Sequence, residues 1–530
     1  MRIPASFPLP VVTALTALLL LSCSGEEPSS DGAPSSADVP LATDAQRAEA
    51  QRLAKTHCGS CHRYPDPSLL DTTHWRTVLD NMAQRMGIYR NVDRESLIRR
   101  TDLRGVDTTR RFPVQPTLRP AAWDKIRAYY QTTAPDTLPS APRSRPTQTG
   151  LPHFDARVPE QRFSPPMTLL TNLVSDDPLF FFSNYGPRSP SSLSMVSSSG
   201  NVVEEWTLAD APIRVIWENP RLYVLLVGPG PEPSEASAGS LVAVDGPDAP
   251  MRPLITGLKR PVDMARADLN GDGVKDFVFC EYGHAAGFLS YYESDGNGNY
   301  ERRVLTAEPG ATRVLIHDFN QDGTPDIGAL MAQGDERFDV YTNDGNGHFT
   351  RHQKLRFPPV YGSTDIRLAD FNSDGRTDLL YVNGDNADFS QTVKPYHGLR
   401  IFLADEHGAY EEAAFIPLPG AYSARAGDFD EDGDLDIAAI SYFPDYRNNR
   451  DGGFVYLENT GDLTFERHIW PGAHKGRWIT MDAGDLDGDQ DLDLMLGSNI
   501  GFSPQHDTTG LFQRWVDDSP SFVFLENTIR

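Results

Sequence analysis

Cysteine is scarce in this chain, four in 530 residues, at positions 23, 58, 61 and 280. Cys58 and Cys61 stand close together, but Cys23 and Cys280 lie too far off in sequence to complete a structural zinc site, which needs two more soft ligands. Long apolar runs are missing as well. Outside residues 11–21, nothing approaches the roughly 20 apolar residues that cross a bilayer, so no permanent helical span is expected. Positive charge is also in short supply. Against 74 Asp and Glu there are 48 Lys and Arg, a net charge of -26, which argues against a nucleic-acid partner.

What the N-terminus does contain is Arg2, the run 11–21 broken only by Thr13 and Thr16, and then Ser22-Cys23. That run is too short for a span and reads as a signal peptide over 1–22. Its end, Leu20-Leu21-Ser22-Cys23, resembles a bacterial lipobox, which implies cleavage before Cys23 and acylation of its thiol. An ordinary secretory signal with an incidental cysteine is the alternative. Glu26 and Glu27 look like the acidic surface-export signals of some two-membrane bacteria. The expected location is a bacterial membrane, through the lipid anchor, on its periplasmic or cell-surface side. Residues 23–44, rich in Ser, Pro, Ala, Asp and Glu, cannot bury enough apolar surface to fold and read as a disordered tether.

The motif Cys58-Gly59-Ser60-Cys61-His62 announces a reaction. Two thiols three residues apart followed at once by an imidazole form the c-type haem attachment pattern, in which the sulfurs take the porphyrin and the histidine takes the iron. A thioredoxin-like redox pair should sit between a strand and a helix, whereas this one closes a helical run over 45–56. One covalent haem c is therefore expected on Cys58, Cys61 and His62.

Residues 45–134 read as one small all-α domain. Helical patterns cover 45–56, 74–86 and 121–130, the last with Trp123, Ile126 and Tyr129 or Tyr130 at helical spacing. The last segment, followed by Ala134-Pro135, resembles the closing helix of class I cytochromes c, a family whose first and last helices cross and pin the haem. The sixth iron ligand should come from the same domain. Met82 is expected, since Val78-Leu79-Asp80-Asn81-Met82 is similar to the ligand-bearing segment of propeller-fused bacterial cytochromes. Met86 is the alternative, with core packing as its ordinary role. The chain departs from class I proteins in that the loop before the last helix carries no Met. Methionine ligation suits an electron carrier.

Between residues 45 and 130 there are 16 Arg and Lys against 9 Asp and Glu, a net of +7, so the acidity lies elsewhere. Arg85, Arg90, Arg94, Arg99, Arg100, Arg104, Arg110 and Arg111 read either as a docking face for an acidic redox protein, or for the acidic second domain, or as solvated charges on a polar loop. Residues 135–152 hold five prolines and read as a stiff linker.

Five loops then recur, their starts 50, 52, 58 and 57 residues apart. They place Asp268, Asn270, Asp272 and Asp276; Asp318, Asn320, Asp322 and Asp326; Asp370, Asn372, Asp374 and Asp378; Asp428, Asp430, Asp432 and Asp436; and Asp485, Asp487, Asp489 and Asp493 at positions 1, 3, 5 and 9. Oxygen ligands at these offsets around a glycine at position 6 wrap Ca²⁺. In the fifth loop Gln490 stands where the others have Gly. An EF-hand is excluded, because it requires Glu at position 12, where this chain has Phe279, Ala329, Tyr381, Ala439 and Leu496.

Each loop is followed by an apolar strand pattern, and further strand signals at 454–457 and 464–468 complete four strands per repeat, the content of a propeller blade. These loops look like the FG-GAP or VCBS calcium repeats of integrin-type propellers, a resemblance covering residues 261–526. Two earlier units, with strands at 179–182 and 222–227 and no ligand pattern near Asp176 or Asn219, bring the count to seven blades, with six or eight as alternatives. The last unit ends at its third strand, 522–525, so residues near 153–163 are expected to supply the fourth and close the ring over 153–530. Up to five Ca²⁺ are expected in a structural role, and Cys280 reads as a buried free thiol.

The expected function is an exported electron carrier whose propeller recognises a protein or a surface glycan. Two other readings stay open. The propeller could be a cell-surface dehydrogenase or lyase with the haem as electron outlet, although no quinone motif or catalytic pair is visible. It could instead be an adhesion or glycan-binding module with an accessory haem.

Overall fold

The helical region begins with a capping box: Thr43 Oγ1 accepts from Gln46 N at 3.2 Å and Gln46 Oε1 accepts from Thr43 N at 3.1 Å. This starts α1, Asp44–Cys58, and Gly59 ends it, its N–H bonded to Lys55 O. Helix α2, Thr72–Arg85, is capped by Asp71, and α5, Pro120–Thr133, has proline in its first turn. Helices α3, Arg94–Arg100, and α4, Thr108–Arg111, were not expected. They bury no residue, so no apolar stripe marks them; Asp93 and Asp107 start them as N-caps.

These elements belong to a computed structural model that describes residues 41–90, 92–104, 106–140, 147–159, 163, 165–174, 179–186, 190–246, 249–385, 393–501 and 509–529. The expected signal peptide, Cys23 and the tether up to residue 40 lie outside the described residues, as does Asp176. The rest of the expected tether is not free chain: Leu41 is buried in the helical core and Asp44 already belongs to α1. That core joins Ala50 and Ala54 of α1, Trp75 and Leu79 of α2, and Trp123, Ile126 and Tyr130 of α5. The Trp75 and Tyr130 rings lie 4.5 Å apart.

Seven four-stranded antiparallel units follow, as expected. Their innermost strands are Thr171–Val174, Pro212–Glu218, Pro261–Ala267, Ala311–His317, Ser363–Ala369, Ala421–Gly427 and Trp478–Gly484, numbered here as blades 1 to 7. The second strands of blades 3 to 7, such as Asp276–Glu281 and Asp378–Asn383, are buried along their whole length, because each is covered on both faces by neighbouring blades. Cys280 is among these buried residues and is a free thiol.

Phe154–Arg157 pairs antiparallel with Phe522–Asn527, the third strand of blade 7, and so closes the ring with a strand from its other end. At the seam between blades 7 and 1, Phe524 stacks edge-on against Phe180 at 4.9 Å, and Phe522 meets Phe182 at 4.4 Å. Replacing either fully buried Phe180 or Phe524 by Ala costs about 3–5 kcal/mol. The expected linker over 135–152 is corrected at one point. Thr147–Thr149 pairs parallel with Phe465–Ile469, so its last part is a fifth strand on blade 6. An unpaired outer edge offered those backbone groups partners.

In blades 1 to 6 the first-to-second and third-to-fourth connections lie at one end, and the other connections at the opposite end. All five acidic loops are first-to-second connections. The helical domain touches the opposite face: Tyr396 OH donates to Leu69 O at 2.9 Å, Asp102 Oδ2 accepts from Glu235 N at 3.1 Å, and Arg63 Nη1 donates to Arg356 O at 2.8 Å.

Candidate functional site

The five acidic loops share one hydrogen-bond plan, in which the carboxylates first order their own backbone. The Asp at position 1 accepts from the N–H at position 6, at 2.9 Å for Asp268, 2.8 Å for Asp318 and Asp370, and 3.1 Å for Asp428 and Asp485. Position 3 accepts from the N–H of position 5, and position 5 from that of position 7, as in Asn270 to Asp272 and Asp272 to Val274. The wrap needs left-handed backbone at positions 4 and 6. Gly supplies it at position 6 in four loops, and Gln490 adopts it as well, with φ of 80°. At position 4, Gln321, Ser373 and Glu431 also hold positive φ. Strain of this kind at non-glycine residues persists where the surroundings enforce it.

Position 9 does different work. Asp276, Asp326, Asp378, Asp436 and Asp493 are buried, and each accepts two backbone N–H bonds, one from position 2 of its loop and one from the end of the third strand or the residue after it. Asp378 takes Phe371 N at 2.9 Å and Ala404 N at 2.8 Å. These aspartates pin each loop to its sheet, a role the ligand pattern did not reveal.

The donor set fits Ca²⁺. One carboxylate oxygen from each of Asp428, Asp430 and Asp432 lies within 4.8 Å of the others, and so do those of Asp485, Asp487 and Asp489. That separation is about twice a Ca–O bond. The first three loops have Asn at position 3. Asp428 Oδ1 and both oxygens of Asp491 are buried without a hydrogen-bond partner. Burial first, and then the neighbouring carboxylates Asp493 and Asp489, push Asp491 up to about 7. A divalent cation relieves that repulsion.

On the helical domain, Cys58 is the last residue of α1, and its half-buried thiol packs on the core beside Tyr130, while Cys61 is exposed in the following turn. Both thiols are free. Burial pushes Cys58 up to about 11, the reverse of a redox pair, whose thiol is lowered at a helix N-terminus. His62 Nδ1 stands 3.0 Å from Arg63 O. A proton on Nδ1 satisfies that carbonyl and leaves Nε2 as a lone-pair donor. Burial also lowers the His62 pKa, which favours the neutral ring. Met82 and Met86 both pack against the same core, one turn apart at the end of α2. Cys58, Met82 and Met86 pack on one core, while Cys61 is exposed beside it.

The arginine run is divided by its contacts. Arg90 pairs with Asp124, Arg94 donates to Phe112 O at 2.8 Å, Arg104 pairs with Asp102 at 2.8 Å, and Arg85 lies over the Phe112 ring. Arg111 is half-buried and Arg99 donates to Ser96 Oγ at 3.2 Å and lies 3.7 Å from Asp93, leaving Arg100 and Arg110 as exposed charge on short helices rather than on a polar loop.

The FG-GAP-like repeat family matches residues 268–329, 318–381 and 428–496, so the chain carries FG-GAP-like repeats in a seven-bladed propeller. No curated protein matches the chain in sequence. Among solved structures, the N-terminal domain of Nup159 is similar at 12% identity, covering 73% of this chain and 98% of that one, with a TM-score of 0.43. BBS1N in complex with ARL6DN is similar at 10% identity, covering 70% of this chain and 94% of that one, with a TM-score of 0.41.

Proposed function

We propose that this protein is an exported, lipid-anchored electron carrier in which a c-type haem is held by the helical domain and the FG-GAP propeller serves as a docking module. The observation that carries the reading is the placement of Cys58-Gly59-Ser60-Cys61-His62 at the end of α1, with His62 turned by its Nδ1 contact and two methionines on the same core. Cys58 and Cys61 would form the thioethers, His62 would ligate iron through Nε2, and Met82, with Met86 as alternative, would take the sixth position. A haem so ligated supplies one-electron transfer at a raised potential. Tyr130 and Trp75 keep water from the core behind Cys58, and Arg63 braces the motif against the propeller. The calcium loops keep the far face ordered for a protein or glycan partner. Anchoring through Cys23 and export belong to the same proposal.

The test is the spectrum of the purified, exported protein, oxidised and dithionite-reduced, with a potentiometric titration. The expected result is a low-spin reduced spectrum and, when oxidised, a methionine-to-iron charge-transfer band that disappears in Met82→Ala and survives in Met86→Ala. The reverse pattern assigns the ligand to Met86. Absence of covalent haem after export with an intact cytochrome maturation system overturns the reading. Release of Cys23→Ser from the membrane fraction tests the anchor.

A further inference from the structure

In six blades the innermost strand slips its pairing with the second strand between the first and third residues, as between Pro212 and Arg214, Pro261 and Asp263, Ala311 and Arg313, and Ser363 and Asp365. A bulge at this point re-aims the third side chain. In blades 2 to 5 those third residues alternate in sign, Arg214, Asp263, Arg313, Asp365, and bridge from blade to blade around the central axis. Arg214 stands 2.8 Å from Asp263, Arg313 3.5 Å from Asp263 and 2.8 Å from Asp365. Two residues further along, Arg367 and Arg425 add two more cations and Asp482 one anion.

Within this ladder four guanidiniums meet three carboxylates. Arg425 is spent on Ser423 Oγ at 3.1 Å, Ala424 O at 2.9 Å and Asp482 at 3.2 Å. Arg367 donates through Nε to Asp365 Oδ2 at 3.2 Å, and Arg214 Nε stands 2.8 Å from Asp263 Oδ1. Among the described residues nothing partners their terminal nitrogens. Their side chains keep 19% and 27% of their surface exposed, whereas both aspartates are fully buried.

We propose that the central channel binds a small organic carboxylate, gripped by the terminal nitrogens of Arg367 and Arg214. A planar fork with two free donors matches a carboxylate in shape and charge. Burial and the like charges of Arg425, Arg313 and Arg214 hold the Arg367 guanidinium well below its usual range, a conflict that an anion resolves. This site lies in a protein of net charge -26 and stands independently of the haem reading.

The test is calorimetric titration of the calcium-loaded full chain with succinate and acetate, with neutral succinamide as control. One-site binding of at least one carboxylate is expected, weaker by about tenfold or more in Arg367→Gln and in Arg214→Gln, and no heat with succinamide. In carboxylate-free buffer Arg367→Gln should melt no lower than the parent, because the surplus charge is gone, while losing the rise in Tm that the carboxylate gives. A purely structural arginine would lower the Tm without changing that rise. No binding at millimolar succinate or acetate, or unchanged affinity in both variants, overturns the proposal. Should Arg367→Gln not fold, Arg214→Gln alone decides it.

Discussion

Arg63 Nη1 donates to the backbone carbonyl of Arg356 at 2.8 Å, tying the residue after His62 to a blade strand 293 positions later. Val360, from the same propeller connection, packs against the helical core. The CxxCH segment is therefore one side of an interdomain seam.

Calcium should contribute to stability in proportion to occupancy. Chelation with EGTA is expected to lower the calorimetric Tm, since a ligand held at a hundredfold its Kd stabilises by about 2.7 kcal/mol per site. Asp430→Asn and Asp487→Asn should each lose part of the chelator-sensitive increment. An EGTA response as large as the parent's in both variants would show that those loops hold no ion.

The buried aspartates at position 9 should matter even without metal. In Asp378→Asn, one of the two N–H groups of Phe371 and Ala404 faces an amide donor instead of an acceptor. The expected loss is about 1–3 kcal/mol by urea unfolding, and it should persist in EGTA.

Glu336 gives the fold a pH dependence. Burial pushes its carboxyl up to about 7 although it accepts from Ser363 N at 2.8 Å and Gly362 N at 3.1 Å. Between the ordinary value of 4.5 and about 7 the folded chain keeps a proton that the unfolded chain has lost. Stability from this group is complete below that window and declines as pH rises through it, by at most about 3 kcal/mol. Glu336→Gln is expected to flatten the decline, read as urea midpoints at about pH 5 and about pH 8.

Electron transfer with an acidic redox protein should slow steeply as salt is added. Arg100→Glu with Arg110→Glu should reduce the low-salt rate and flatten that dependence. The same substitutions should leave the midpoint potential in place. A flat salt response in the parent would remove docking as the role of these arginines.

The sequence by itself determined what is local. The CxxCH spacing and the five loops whose ligands fall within nine residues are short-range patterns, and the recurrence of the loops announced the blades. Even ring closure was legible, because the last unit ends one strand short. Helices α3 and α4 were not, since seven and four residues without a buried face leave no period to read. Tertiary structure alone decided how distant pieces meet. Thr147–Thr149 became a strand only because blade 6 offered an open edge to a segment whose composition reads as linker. Position 9 became a staple only where the third strand's end came within reach. Arg214, Asp263, Arg313 and Asp365 lie about fifty residues apart, one to an inner strand, and no short window along the chain contains two of them. They form a ladder because the propeller places equivalent positions of successive inner strands side by side around one axis.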